Sequence, residues 1–277
     1  MNENRIDVVA DALAKAWREG GAVSPLAEEL WPADLAEGYQ TQDALDERLD
    51  FELVGWKIGM TNQAAMKERG FDHPVQLGRV YRDFMQTSPA RFSMSDFRNP
   101  PVLEGEFAFR MGQDLPSRKE PYSLDEVRDA VEAVVMSIDM VDTRWGVHPS
   151  KLNIHQGNAD NACAGGFVIG DELAGWQTLD LATLPVNLYL DGVHASGEPY
   201  ESERRCTLEQ LYAALHWAAN ALSKRGFGFK AGEVISTGSP HKPVFLGKGA
   251  EAVVRYGDVG EIRVTICLLY TSDAADE

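Results

Sequence analysis

The chain has 277 residues, 44% hydrophobic and 25% charged, with a formal net charge of −17. This composition fits one large globular domain, or a small domain beside a larger one. A balance this acidic, without a Lys/Arg cluster, excludes a nucleic-acid binder, and no apolar run reaches the ~20 residues that span a bilayer.

The first residues, Met1 to Arg5, are polar and lack a signal-peptide core. Cys163, Cys206 and Cys267 are odd in number and widely spaced, which argues against a disulfide framework or a zinc site. A cytoplasmic protein is expected.

Residues 6–17 place Val8, Val9, Ala12, Leu13, Ala16 and Trp17 near one helical face, and Gly20-Gly21 ends the pattern. A second helix is predicted after Pro32, through Leu35, Tyr39, Ala44 and Leu45. Residues 51–59 read as a strand carrying Lys57 among Gly55, Trp56, Ile58 and Gly59. A short helix over 63–69 precedes a loop containing Asp72, His73 and Pro74. From Val80 strand signals dominate. Ser123 to Glu126 is a capping box that opens a helix predicted to run to about Val135. Strands are predicted over 137–144, 167–170, 186–190 and 234–237, with an amphipathic helix over 207–225 stopped by Gly226. Glu261 to Ile266 makes a natural last strand. The order of helices first, then many strands interrupted by two helices, predicts an α+β fold with a curled β core. Residues 1–79 are expected to form a helical/αβ portion and residues 80–266 the catalytic β domain. Residues 267–277 match nothing around them and read as appended, non-native sequence.

The segment Leu103-Glu104-Gly105-Glu106-Phe107-Ala108-Phe109 alternates with the period of a half-buried strand. Glu104 and Glu106 then share a face, with Cα atoms ~7 Å apart. Two like charges among large apolar residues repel and are costly to desolvate. A hard divalent cation relieves both problems; the alternative is an ordinary solvent-facing strand. Asp139, in the apolar run 136–141, is a third oxygen donor or else a partner for an arginine. Lys57 is either structural or placed for proton transfer. Burial would lower its pKa and nearby carboxylates would raise it. The small residues of 160–166 suit a turn whose backbone approaches a ligand. Cys163 has no base beside it in sequence and reads as a buried structural cysteine. Among six scattered histidines only His73 holds a loop position of interest.

Taken in order, Asp34 to Gln42, Trp56 to Thr61, Glu104 to Phe109, Ile138 to Arg144 and Ala159 to Ala162 resemble the fumarylacetoacetate hydrolase superfamily, closest to its 2-keto-4-pentenoate hydratase branch. The resemblance implies a helical N-terminal portion on a mixed β-roll or barrel, a Mg²⁺ or Mn²⁺ ion, and a homo-oligomer acting on a small 2-oxo acid. By position it implies Glu104, Glu106 and Asp139 as metal ligands and Lys57 as the proton-transfer residue. Asp72 and His73 join Lys57 as catalytic candidates. Asp160, Asn161, Cys163 and Thr237 form the implied substrate-binding set. The reaction implied is metal-assisted hydration of a 2-hydroxy-2,4-dienoate to a 4-hydroxy-2-oxo acid in aromatic meta-cleavage catabolism. Decarboxylation of 4-oxalocrotonate is the first alternative. C–C hydrolysis of an acylpyruvate needs a His–Glu pair, for which only His73 with Glu68 offers itself. A metal-binding scaffold without catalysis is the non-enzymatic alternative. The segment 72–78 departs from the hydratase pattern, and Cys163 stands where that branch has serine.

Overall fold

A computed structural model describes residues 3–23, 28–196, 207–246 and 249–268. Helix α1 (Glu3–Glu19) buries Val9, Leu13, Ala16 and Trp17 on one stripe, and Gly20 at φ +74° ends it. Helix α2 (Leu35–Asp46) starts where Asp34 accepts a hydrogen bond from the Glu37 amide at 2.9 Å. The two helices pack together around Leu45, Tyr81 and Ala159.

Strands β1 (Leu53–Gly59) and β2 (Gln76–Tyr81) flank the short helix α3 (Gln63–Glu68). They are followed by β3 (Met85–Thr87), β4 (Ala90–Ser93) and the long β5 (Val102–Met111). Helix α4 (Leu124–Asp129) leads into β6 (Val131–Val141). Helix α5 (Ile154–Ala159), β7 (Ala164–Glu172), β8 (Val186–Leu190) and β9 (Val193–His194) come next. Helix α6 (Leu208–Lys224) precedes β10 (Val234–Ser236), β11 (Val244–Phe245), β12 (Glu251–Tyr256) and β13 (Gly260–Cys267).

The larger sheet has the order β2-β1-β10-β5-β6-β7-β3, with β11 also on β5; the smaller has the order β4-β13-β12-β8-β9. Most pairs are antiparallel, whereas β1–β10, β3–β7 and β4–β13 are parallel. The main core holds Phe107 and Phe109 of β5 together with Val254, Ile262 and Val264 of the smaller sheet. Tyr256 ties the sheets, its hydroxyl 2.8 Å from the Glu106 carbonyl and 2.9 Å from that of Ser137. The division expected at residues 79 and 80 falls inside β2, which pairs along its whole length with β1.

Two predicted elements end elsewhere. Helix α4 stops at Asp129 instead of about 135, because Val131 to Val135 pair with Ala108–Met111 of β5; a β-branched run follows its sheet partner over a weak helical preference. Strand β6 ends at Val141, and Asp142 turns away to accept from the Arg98 amide at 2.6 Å and from Asn99. Helix α5, whose Asn153 and Gln156 cap each other, carries too short an apolar pattern to be read from sequence. Cys267 closes β13, paired with Ser93, and the rest of the tail beyond Leu268 lies outside the described residues.

Arg79 of β2 locks α2 to the sheet. It is 1% exposed and reaches Asp43 at 2.7 Å and Asp46 at 3.2 Å, with Trp56 and Phe227 against its guanidinium. Arg79→Ala empties the space of a buried guanidinium, leaves Asp43 with Arg225 alone and Asp46 with only the Tyr81 hydroxyl, and urea unfolding is expected to show a loss of about 2–4 kcal/mol.

Candidate active site

The register of β5 on β6 sets Glu104 opposite Asp139 and Glu106 opposite Ser137. The three carboxylates Glu104, Glu106 and Asp139 each present an oxygen within 4.8 Å of the others. Glu106 and Asp139 are buried; Glu104 is half-buried and opens to the cavity. Strand β10 ends at Ser236, so β1 and β5 part below it and Lys57 of β1 reaches across to Asp139. Gly78 faces Lys57 from β2; a Cβ there would lie 2.5 Å from the Asn161 carbonyl and 3.0 Å from the Lys57 stem. Only glycine lets the lysine and the 161–163 turn occupy the same layer.

Withdrawal from water pushes Glu104 up to about 7, aided by the Asp139 charge, while Lys57 acts against the shift. Burial also raises Glu106 well above the carboxylate range, with Asp139 and Glu104 adding repulsion. Burial raises Asp139 too, against the pull of Lys57. For Lys57 itself burial is the largest influence and lowers its pKa. Asp139, Glu104 and Glu106 together outweigh burial and hold it above the lysine value. The question left open by the sequence is thus decided by the carboxylates, and Lys57 is an ammonium at neutral pH. Fully ionised, the three carboxylates would outnumber the one ammonium by two charges, and their upward shifts show that the site resists that state without a further cation. Hard oxygen donors with that deficit fit a divalent cation such as Mg²⁺ or Mn²⁺.

These groups floor a cavity of about 370 Å³. Its walls include Met60, Thr61, Val141, Leu152 and Ile154, and its rim includes Arg69, Ser150 and Asn153. Of the expected substrate-binding residues, only Cys163 lines it. Burial, then the Asp160 charge, pushes the Cys163 thiol up to about 12, so it is no thiolate nucleophile.

The other expected contacts point elsewhere. Asp160 accepts from Trp17 Nε1 at 2.9 Å, Thr143 Oγ1 at 2.8 Å and the Arg144 amide at 2.6 Å. Its oxygens are consumed in tying α1 and the end of β6 to the site turn. Asn161 clamps the Arg79 backbone through both its amide atoms, at 2.6 and 2.9 Å. That clamp holds Asn161, Ala162 and Cys163 at φ 51°, 52° and 57°, a strained left-handed run. Thr237 Oγ1 donates to the Phe107 carbonyl at 2.7 Å. The catalytic candidates Asp72 and His73 also lie outside the cavity. Both are exposed, and the His73 ring stacks on Trp217 at 5.8 Å. The backbone re-enters the fold only at the buried Pro74 and Val75, which leaves the two side chains outside.

Sequence reading missed His241 and Arg69. His241 sits 136 residues from the strand it touches, a relation no local pattern carries. Arg69 follows α3 directly, and its place at a cavity rim depends on how that helix docks.

The chain belongs to the fumarylacetoacetate hydrolase family: residues 80–267 match the family's domain described as Fumarylacetoacetate (FAA) hydrolase C-terminal. It is 27% identical over 267 residues to the TodF product hydratase of Pseudomonas putida, covering 92% of this chain and 90% of that protein. It is 28% identical over 260 residues to 2-keto-4-pentenoate hydratase 1 of Dechloromonas aromatica, covering 92% and 95%. Its fold is that of the 4-oxalocrotonate decarboxylase of Pseudomonas putida complexed with magnesium and adipate, with a TM-score of 0.80 and 22% identity over 96% of this chain and 98% of the other. Among the described residues no helix is long and apolar enough to cross a membrane.

The raised carboxylates have a consequence for stability. Glu104 lies above the unfolded value of ~4.3, so its contribution to folding is most favourable when protonated and is lost as pH rises from that value through about 7. A divalent cation offsets the loss by compensating the ionised form. The melting temperature of EDTA-treated protein is expected to fall between pH 5 and 7.5 more steeply than that of Mg²⁺-saturated protein. Parallel pH profiles would count against this linkage.

Proposed function

We propose that this chain is a hydro-lyase that adds water to a 2-hydroxy-2,4-dienoate, giving a 4-hydroxy-2-oxo acid, in the catabolism of aromatic rings by meta cleavage. The observation that carries the reading is the cavity floor: one buried lysine beside three carboxylates, while the ring nitrogens of the cavity-lining His241 are engaged by the Gly105 amide and the Lys242 carbonyl and not by a carboxylate. Similarity to named hydratases over at least nine tenths of both chains supports the same reaction class.

Glu104, Glu106 and Asp139 would hold a Mg²⁺ or Mn²⁺ ion. When bound, the ion supplies Lewis-acid polarisation of the substrate's 2-oxo and carboxylate oxygens. Lys57 supplies a proton. On ketonisation Lys57 Nζ gives a proton to C5 of the diene and takes back the one that the 2-hydroxyl loses, which restores the ammonium. Water then adds across the resulting C3–C4 double bond, hydroxyl to C4 and proton to C3. Asp139 orients Lys57 through their ion pair. The walls formed by Met60, Val141, Leu152 and Ile154 exclude bulk water from the carbon chain. A homo-oligomer in the cytoplasm completes the proposal. C–C hydrolysis is disfavoured, because His73 faces solvent and Glu68 does not line the cavity.

A second reading, decarboxylation of a 4-oxalocrotonate-type dicarboxylate, is favoured by one observation. Arg69 lines the cavity and has no ion pair among the described residues. A cation on the rim is a countercharge for a second carboxylate at the far end of a substrate. Solvent exposure limits its worth.

The deciding assay supplies Mg²⁺ and freshly generated 2-hydroxypenta-2,4-dienoate and identifies the product by mass spectrometry. A gain of one water, abolished by EDTA, is expected. Lys57→Met should lower turnover by about 10²–10⁴-fold, while His73→Ala, remote from the cavity, should keep it. Loss of CO₂ from the dicarboxylate, with no water added to the dienoate, would establish the second reading. Arg69→Met is expected to lower the ratio of kcat/KM for the dicarboxylate to that for the monocarboxylate by about three- to tenfold. An unchanged ratio would remove Arg69 from substrate recognition.

A further inference from the structure

The outer edge of β5 is interrupted at the level of the two glutamates. Ala108–Arg110 pair with β10, and Val102 and Leu103 pair with β11. Among the described residues no strand covers 104–107 on this edge. In its place the chain leaving β10, residues 237–241, makes a ladder built largely of side chains. Thr237 holds the Phe107 carbonyl through its amide at 3.2 Å and its hydroxyl at 2.7 Å. The Gly238 amide donates to Glu106 Oε2 at 3.0 Å. Ser239 Oγ lies 3.3 Å from the Gly105 carbonyl oxygen. The Gly105 amide, between the two carboxylates, donates to His241 Nε2 at 3.0 Å.

The ring of His241 is fixed in turn. It is 3% exposed, and its Nδ1 lies 2.8 Å from the Lys242 carbonyl oxygen. A carbonyl takes a proton and an amide gives one, so the tautomer is determined: Nδ1 carries the hydrogen and Nε2 accepts. A Cβ on Gly105 would lie 2.8 Å from His241 Nε2 and 2.6 Å from Val254 Cγ1. The backbone between Glu104 and Glu106 is therefore clamped between an imidazole and the smaller sheet, with no room for a side chain.

We propose that His241 is a positioning residue for the Glu104/Glu106 pair, its ring holding the Gly105 amide so that both carboxylates meet Asp139 at the separation a divalent cation requires. The inference rests on the metal reading given above. It assigns His241 no contact with the ion or the substrate. Groups that orient metal-binding side chains from behind typically change affinity by about 10–100-fold when removed. Without an acceptor at Nε2 the Gly105 amide is left buried and unpaired, and the strand is free to shift toward the space the ring vacates.

The test is calorimetric titration of Mg²⁺ and of Mn²⁺ into the EDTA-stripped, dialysed 277-residue chain, a readout independent of turnover. His241→Leu keeps bulk and removes the acceptor; His241→Gln restores an acceptor oxygen on a flexible arm. Leu13→Ala, in the α1 core and remote from the cavity, serves as a control for general destabilisation. Expected are a tenfold or greater loss of affinity in H241L, recovery of most of it in H241Q, and a change within about twofold in L13A. Wild-type affinity in H241L, or an equal loss in L13A, would overturn the assignment and leave the metal reading intact. Should H241L fail to fold, H241N carries the test: its acceptor is too short to span the gap, so a tenfold loss is expected and undiminished binding overturns the proposal. Absence of ion binding in the wild-type chain would overturn the metal reading itself, and this inference with it.

Discussion

Like charges brought together away from water are the constraint around which this molecule is built. Three carboxylates whose oxygens lie within 4.8 Å of one another face a single ammonium. At such separations each unit-charge pair is worth about 4 kcal/mol even at an effective dielectric constant of ~20. The Lys57 ammonium on Asp139 and the Gly238 amide on Glu106 lower that cost only in part. The fold holds the groups in place by covalent register and by packing from behind: β5 and β6 fix Glu104 opposite Asp139, and Tyr256 ties both strands to the smaller sheet. The result is a site with a net negative demand, suited to a dication.

The second feature of the site is the gap in the sheet. Because β10 is three residues long, β1 and β5 diverge, and Lys57 crosses the opening to reach Asp139. A continuous sheet would have put strand β10 where the cavity now lies. The edge this exposes is satisfied by Thr237, Gly238, Ser239 and His241, so no buried strand edge is left unpaired. The opposite wall is the left-handed turn of Asn161, Ala162 and Cys163, held by Asn161 on β2. Its neighbour Asp160 spends its carboxylate on Trp17, Thr143 and Arg144. Through Trp17 the first helix is anchored to the turn that lines the site.

How much of this was legible in the sequence depended on whether the signal was local. The alternation of 103–109 placed Glu104 and Glu106 on one face because strand period is a property of adjacent residues. The capping box at Ser123 marked a helix start for the same reason. The end of α4 was misplaced because residues 131–135 have a partner in β5 that no window around them contains. Asp160, Asn161 and Thr237 were rightly singled out as part of an unusual turn or strand end, yet their side chains serve the scaffold. Asp72 and His73 looked poised in a loop and are turned to solvent.

The sequence by itself determined the types of chemistry available: an acidic pair at strand spacing, a lysine in an apolar strand, a third acid in another such strand, and the ordered set of segments that marks the family. Tertiary structure decided which of these meet. It set the ionisation of Lys57, since burial and the carboxylates push in opposite directions and only their distances settle the balance. It also brought His241 and Arg69 to the cavity across long stretches of chain. The reason is physical: periodicity and capping act between near neighbours, whereas electrostatic balance and cavity shape depend on distances in space that local sequence does not encode.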